Sequence, residues 1–249
     1  MAERGITEGL NDHEAALSAH QLSDFRSLNL FRMVAQHVIP GTVMDVGAGG
    51  GGMVAWLLRQ GYDARGIDLS PSTAAAAGRF LESLDLPADR VQAMGLSELI
   101  ERGETHDNVL SMDCIEHIED DRTAFHQLVE LTRPGGRIIV TVPALMALYG
   151  ARDETQGHYR RYERKMLQAL AENEPIRIDT LRYWNLLGVA PTFINQRILG
   201  RAIDESFRYG KQGLVPRLLR RGLATWFSQV ENRIVPPVGL TLLMTATRL

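Results

Sequence analysis

The chain predicts an α/β fold, a doubly wound and mostly parallel sheet with helices on both faces, and three observations point there. An apolar strand, Thr42-Val-Met-Asp-Val46, runs straight into a glycine cluster, Gly47-Ala-Gly-Gly-Gly-Gly52. Strand and helix signals then alternate as far as Val142, the βαβ rhythm of a parallel sheet. Turn signals at Pro40-Gly41, Ser70-Pro71 and Pro134-Gly135-Gly136 separate the segments.

Taken in order, the chain reads as helical from Asp12 to about His37, where Leu17, Phe25, Leu28, Phe31, Met33, Val34 and Val38 offer apolar faces before Pro40-Gly41 breaks the pattern. A strand follows at 42–46, a helix at about 52–60 and a strand at 63–68. Ser70 caps the next helix, with Pro71 in its first turn, and the helix runs to about Leu84. A third strand near Arg90 to Ala93, a fourth at Asn108 to Met112 and a fifth at Arg137 to Val142 are separated by helices near 97–102 and 121–132. Pro134-Gly135-Gly136 reads as the turn into the fifth strand. Beyond it the alternation is lost. Residues 144–162 form a loop rich in Tyr, Arg and His, then come a short helix from Glu163 to about Glu172 and a strand-like run from Ile176 to Tyr183. Residues 184–236 are amphipathic and mostly helical, and Leu240 to Thr247 make the last strand.

Composition narrows the class. The 249 residues suit a single domain with insertions, and a net charge of −3 gives no general pull toward nucleic acid or anionic lipid, so no nucleic-acid partner is expected. The single Cys114 excludes an internal disulfide and reads as a small core residue. Met1-Ala-Glu-Arg-Gly lacks a secretory pattern, and no stretch approaches the roughly 18–20 apolar residues of a membrane span, so a cytoplasmic protein is expected.

The glycine cluster is the most specific local feature. Its residues permit a tight strand-to-helix turn that passes close to a ligand. Gly47, Gly49 and Gly52 satisfy the G-x-G-x-x-G spacing of dinucleotide binding, with an acid, Asp68, in Gly66-Ile-Asp-Leu-Ser. Asp45, two positions before the first glycine, argues for a different ligand: a carboxylate there suits the ammonium of an amino-acid cofactor and repels a pyrophosphate.

Val43-Met-Asp-Val-Gly-Ala-Gly-Gly-Gly and Gly66-Ile-Asp-Leu-Ser resemble the first two motifs of class I S-adenosylmethionine-dependent methyltransferases. The resemblance continues through Asp107-Asn-Val-Leu-Ser-Met-Asp-Cys-Ile-Glu-His-Ile-Glu-Asp and Leu131-Thr-Arg-Pro-Gly-Gly-Arg-Ile-Ile-Val-Thr-Val-Pro, and covers residues 40 to 145. It implies a Rossmann-like doubly wound seven-stranded sheet in the order 3-2-1-4-5-7-6, the last strand antiparallel, with helical cap insertions. It further implies an N-terminal helical lid (1–40), a cofactor-binding core (41–143) and substrate-cap insertions (144–162 and 184–236) in one domain, with S-adenosyl-L-methionine as cofactor.

Asp45, Gly47, Ala48 and Gly49 would hold the amino-acid part of that cofactor, and Asp68, beside Leu69, the ribose hydroxyls. The family commonly places an acid against the adenine amine; here the matching stretch is Gln92-Ala-Met-Gly-Leu-Ser, so Met94, Gly95 and Leu96 are expected to sandwich the ring by apolar contact. Met112 and Asp113 follow the fourth strand at the sheet's carboxyl edge, in reach of cofactor or substrate.

Asp113-x-x-Glu116-His117, with His158 in Gly157-His-Tyr-Arg-Arg-Tyr, supplies two carboxylates and two imidazoles, a set able to bind a divalent metal such as Mg²⁺. Ubiquinone-pathway and small-RNA methyltransferases show a similar pattern; in metal-free relatives the Glu-His pair packs at a helix start. Without metal, His158 or His117 is the candidate general base. Tyr159, Arg160, Arg161 and Tyr162, with Trp184, are the candidate substrate-binding residues, the rival reading being a solvated charged loop.

In the last insertion, Val215-Pro-Arg-Leu-Leu-Arg-Arg-Gly-Leu could lay Arg217, Arg220 and Arg221 on a membrane surface, although such a pattern more often makes a core-facing helix or a homodimer surface. The favoured function is methyl transfer to an oxygen or nitrogen of a small-molecule acceptor, in secondary metabolism or glycoconjugate assembly by resemblance. The alternatives are an NAD-dependent oxidoreductase on the same glycine loop and a non-catalytic methyltransferase-like binding protein.

Overall fold

A computed structural model describes residue 22, residues 24–198 and residues 214–249. The first part of the helix expected from Asp12 to about His37, residues 12–21, and the part of the last insertion at 199–213 lie outside the described residues.

The first described helix, α1 (Phe25–Ala35), starts at Asp24, whose carboxylate accepts from the Arg26 and Ser27 amides. Strand β1 (Thr42–Val46) leads through the glycine cluster into α2 (Gly52–Arg59). Next come β2 (Asp63–Asp68), then α3 (Pro71–Glu82) behind its Ser70 cap, β3 (Val91–Ala93), α4 (Leu96–Glu101) and β4 (His106–Met112). Helix α5 (Asp121–Leu131) precedes β5 (Thr132–Pro143). The remainder comprises α6 (Ala151–Thr155), α7 (Arg164–Ala171), β6 (Ile176–Trp184), α8 (Val189–Phe193), α9 (Leu214–Trp226) and β7 (Thr241–Arg248).

The seven strands form one sheet in the order β3-β2-β1-β4-β5-β7-β6. Pairs from β3 to β5 are parallel, and β7 runs antiparallel to both β5 and β6. The sheet separates two apolar layers. Met44 and Val46 of β1 join one layer with Phe125 and Leu128 of α5, while Val43 joins the other with Val54 and Leu57 of α2 and Met33 and Val34 of α1. Both faces are therefore covered, as a parallel sheet requires. The period of two along β1 puts Asp45 on the α1/α2 side beside Val43, at the strand's carboxyl end.

Three elements differ from the sequence reading. The helix expected from Asp12 to about His37 is broken at Asp24, which is extended and caps a helix that begins at Phe25. Pro134-Gly135-Gly136 lies inside β5, which begins at Thr132, because Thr132 pairs with His106 across a shift in the β4 register. The 144–162 segment is more ordered than a loop: it holds a single helical turn at Met146–Leu148 and α6. Among the described residues no helix is long and apolar enough to cross a membrane.

Candidate functional site

The glycine cluster and β2 build one cradle. Gly47 and Ala48 amides both donate to the Ile67 carbonyl at 2.9 Å, locking the β1 and β2 tips together. A side chain on Gly47 would run into the Cys114 sulfur, whereas the space beside Gly49, at φ +52°, is open. Gly49 is thus required by backbone angle and faces room for a ligand. Its amide donates to Asp68 Oδ2 and the Ser70 amide to Asp68 Oδ1, each at 3.0 Å, so Asp68 is fixed between the two loops.

Asp45 is 2% exposed, and its Oδ1 has no hydrogen-bond partner. Burial, aided by the charge of Asp68, pushes its carboxyl up to about 7. An orphaned acid of this kind is a place for a cationic ligand group. Of the residues expected at the adenine, Met94 is buried in the core and Leu96, at the start of α4, is partly buried against it. The apolar surface open beside Gly95 is Leu69, 82% exposed, whose Cδ1 lies 3.6 Å from where a Gly95 Cβ would stand. Met112, the last residue of β4, is partly buried against the α1/α2 layer.

A second group gathers at the end of β4. Asp113 adopts φ +49°, uncommon for a residue with a side chain, held by its amide donating to the Thr141 carbonyl at 2.8 Å. Surrounding protein raises its carboxyl, which Arg26 opposes, although one face stays open to solvent in a concave cavity. Glu116 is fully buried and neither carboxylate oxygen has a partner; burial and then Asp113 drive its carboxyl well above the ordinary range. The His117 and His158 rings meet edge to face at 4.6 Å, and burial followed by the proximity of His158 lowers the His117 imidazole. Glu116, His117 and His158 bring ligand atoms within 4.8 Å of one another. Asp113, the fourth residue of the expected metal set, is not part of that close group.

His158 is positioned by a residue the sequence reading did not single out. Asp153 of α6, fully buried, accepts from His158 Nδ1 at 2.9 Å, Arg161 Nε at 2.8 Å and the Gly150 amide at 3.1 Å. Burial opposes its charge, but these three donors hold its carboxyl below the ordinary value. With Nδ1 engaged, Nε2 is the imidazole nitrogen left for chemistry.

A cavity of about 640 Å³ opens beside this group. Asp113, Glu116, His117 and His158 line one part; Phe25 and Arg26 of α1, Arg152 of α6 and Asn185 after β6 line others, with Leu187, Pro191, Leu223 and Phe227 from the C-terminal insertion. Neither α1 nor Asn185 carries a local signal that reveals this placement.

The expected substrate-binding residues are mostly engaged elsewhere. Tyr162 is fully buried and its hydroxyl donates to Asp121 at 2.8 Å; Arg160 pairs with Asp121 at 2.7 Å and with the Glu119 carbonyl. Trp184 is 0% exposed, its indole donating to Asn232 at 2.8 Å. Arg161 borders the cavity but binds Asp153 and the Ala144 carbonyl. Tyr159 is exposed, its ring 5.8 Å from the Arg160 guanidinium.

Residues 44–140 match the methyltransferase domain family. The ubiquinone biosynthesis O-methyltransferase of Rhizobium etli is 35% identical over 98 residues, 39% of either chain, and that of Photorhabdus laumondii is 27% identical over 138 residues, 53% of this chain and 57% of the relative. The matched stretches thus span from about two fifths to just over half of these curated relatives. Among solved structures, the geranyl diphosphate C-methyltransferase of Streptomyces coelicolor, in complex with Mg²⁺, geranyl diphosphate and S-adenosyl-L-homocysteine, superposes with a TM-score of 0.57 at 15% identity, covering 88% of this chain and 78% of that one. Residues 44–140 thus carry a methyltransferase domain, and the fold is that of the class I S-adenosylmethionine-dependent methyltransferases. Its sheet order also departs from the 3-2-1-4-5-6 order of dinucleotide-binding dehydrogenases through the antiparallel β7 between β5 and β6.

Proposed function

We propose that this protein transfers the methyl group of S-adenosyl-L-methionine to an oxygen or nitrogen of a small-molecule acceptor held in the 640 Å³ cavity. The observation that carries this reading is the pairing of two half-sites at neighbouring strand tips. The open cradle of Asp45, Gly49 and Asp68 lies on one side, and His158, backed by Asp153, borders the cavity on the other. Asp45 would receive the cofactor ammonium, Asp68 the ribose hydroxyls, and Leu69 with Gly95 the adenine.

A sulfonium methyl is already activated, so the residues' task is to align the acceptor atom with the methyl carbon and sulfur and to keep water out. His158 Nε2 would take the proton of an acceptor hydroxyl or amine, with Asp153 holding the ring and stabilising the imidazolium. The two relatives are named O-methyltransferases, which favours a hydroxyl acceptor. We place the lid in α1 and the acceptor cap in residues 144–162 and 184–236.

A second reading is favoured by Glu116, whose two buried oxygens have no partner beside two imidazoles. Both histidines are set as metal ligands are, His158 through Asp153 and His117 through the Gly157 backbone. These residues fit a divalent cation, and a donor set with two imidazoles suits Mn²⁺, Fe²⁺, Co²⁺ or Zn²⁺ better than Mg²⁺. Such an ion, when bound, would lower the pKa of an acceptor hydroxyl.

A methyl-transfer assay with labelled S-adenosyl-L-methionine against a panel of phenols, sugars and amines tests the proposal, with Gly49→Arg as the control that fills the open cradle. Cofactor binding without transfer to any acceptor would favour the non-catalytic alternative.

A further inference from the structure

The cavity has a far end that the proton-transfer chemistry does not use. Asn185 directly follows β6 and is only 6% exposed, yet its side chain lines the cavity. Its backbone sits at φ +67°, a left-handed angle that asparagine and aspartate tolerate better than most side chains. Oδ1 accepts from the Gly188 amide at 3.1 Å, which fixes the carboxamide's orientation. Gly188 has an ordinary helical φ of −73°, but a Cβ on it would stand 2.6 Å from Asn185 Oδ1, so the carboxamide occupies the space a side chain would need. With Oδ1 engaged in this way, Nδ2 has no hydrogen-bond partner among the described residues.

The turn does not account for the amide. Aspartate would offer the same oxygen to Gly188 and accept the same backbone angle, but it has no N–H to present to the cavity. A buried donor without a protein partner is a place for a ligand oxygen. Because the donor is uncharged, it matches a carbonyl or hydroxyl; one amide would not offset the burial of a carboxylate. The position of Asn185 sets how far that oxygen lies from the chemistry. In the order β4-β5-β7-β6, the tip of β6 is three strand spacings, about 14 Å, from the tip of β4 that leads into Asp113, Glu116 and His117. Leu187, Pro191, Leu223 and Phe227 give the cavity apolar walls.

We propose that Asn185 is a specificity-determining residue: its Nδ2 receives a carbonyl or hydroxyl oxygen at one end of an elongated, largely apolar acceptor whose methylated atom lies beside His158. This deepens the methyltransferase reading and rests on it.

The test is calorimetric titration of the full chain, with and without S-adenosyl-L-homocysteine, using 4-(6-oxoheptyl)catechol, 4-(6-hydroxyheptyl)catechol and 4-heptylcatechol. In Asn185→Gly, whose new residue adopts the left-handed angle freely, the affinity of the ketone relative to the hydrocarbon should fall about tenfold. The affinities of 4-heptylcatechol and of S-adenosyl-L-homocysteine should stay within twofold. Asn185→Asp should weaken the ketone equally but keep the hydroxyl probe, since a carboxylate accepts a hydroxyl proton and has none to give a ketone. An unchanged ketone-to-hydrocarbon ratio in both variants, an equal loss of all three probes, or no binding of any probe by wild type overturns the proposal. Wild type that binds the ketone through Asn185 but does not bind S-adenosyl-L-homocysteine would uphold the contact and count against the methyltransferase reading.

Discussion

Asp153 Oδ1 lies 2.9 Å from His158 Nδ1 and 2.8 Å from Arg161 Nε, so one buried carboxylate orients an imidazole and fixes the guanidinium three residues beyond it. The arrangement ties α6 to the loop that follows and leaves Nε2 as the ring nitrogen of His158 that would meet an acceptor.

Asp153→Asn should therefore lower methyl transfer about 100-fold or more, the scale of general-base assistance, while S-adenosyl-L-homocysteine affinity changes less than twofold. Steady-state kinetics beside calorimetry check this. Equal losses in turnover and cofactor affinity would point to a folding defect, which a circular dichroism melt of the variant separates.

Asp45, in its proposed role, should make cofactor affinity depend on pH. Its raised carboxyl, about 7 against an ordinary 3.8, stabilises the fold in its protonated form. That contribution is complete below pH 3.8 and is lost as pH rises through about 7. A bound ammonium pairs with the ionised form, so S-adenosyl-L-homocysteine should bind more tightly as pH rises from 5.5 and level off above about 7. Calorimetry in buffers of differing ionisation enthalpy should show proton release near pH 6, absent in Asp45→Asn.

The Glu116, His117 and His158 group should bind Co²⁺ with a visible absorption band, at one ion per chain. Glu116→Gln or His117→Ala should abolish the band, and Asp153→Asn should weaken the ion about 10- to 100-fold by loosening His158. A colourless titration in wild type would leave His158 acting as a base alone.

Asp68 accepts from two loop amides, so Asp68→Ala should cost about 1–3 kcal/mol of stability even without ligand. Urea unfolding of the apoprotein measures it.

The cofactor half was legible because β1 runs straight into the glycine cluster, β2 ends on Asp68 ahead of the Ser70-Pro71 helix start, and β4 carries Val109-Leu110 just before Asp113, signals that act locally. The start of β5 was not, since its extension over Pro134-Gly135-Gly136 is decided by Thr132 meeting His106 on another strand. The acceptor half failed for the same reason. Tyr162 and Trp184 looked suited to substrate, yet Asp121 and Asn232, 41 and 48 residues away, satisfy their polar atoms and leave both buried. Asp153 carried no motif; only the fold brings α6 against His158 and Arg161.

The most direct measurement is calorimetric titration of wild type and Asp68→Ala with S-adenosyl-L-homocysteine and, separately, with NAD. Micromolar binding of S-adenosyl-L-homocysteine alone, lost in Asp68→Ala, is the predicted result. Preference for NAD, or no binding of the homocysteine product by a folded wild-type chain, would contradict the assignment of the cradle formed by Asp45, Gly49 and Asp68.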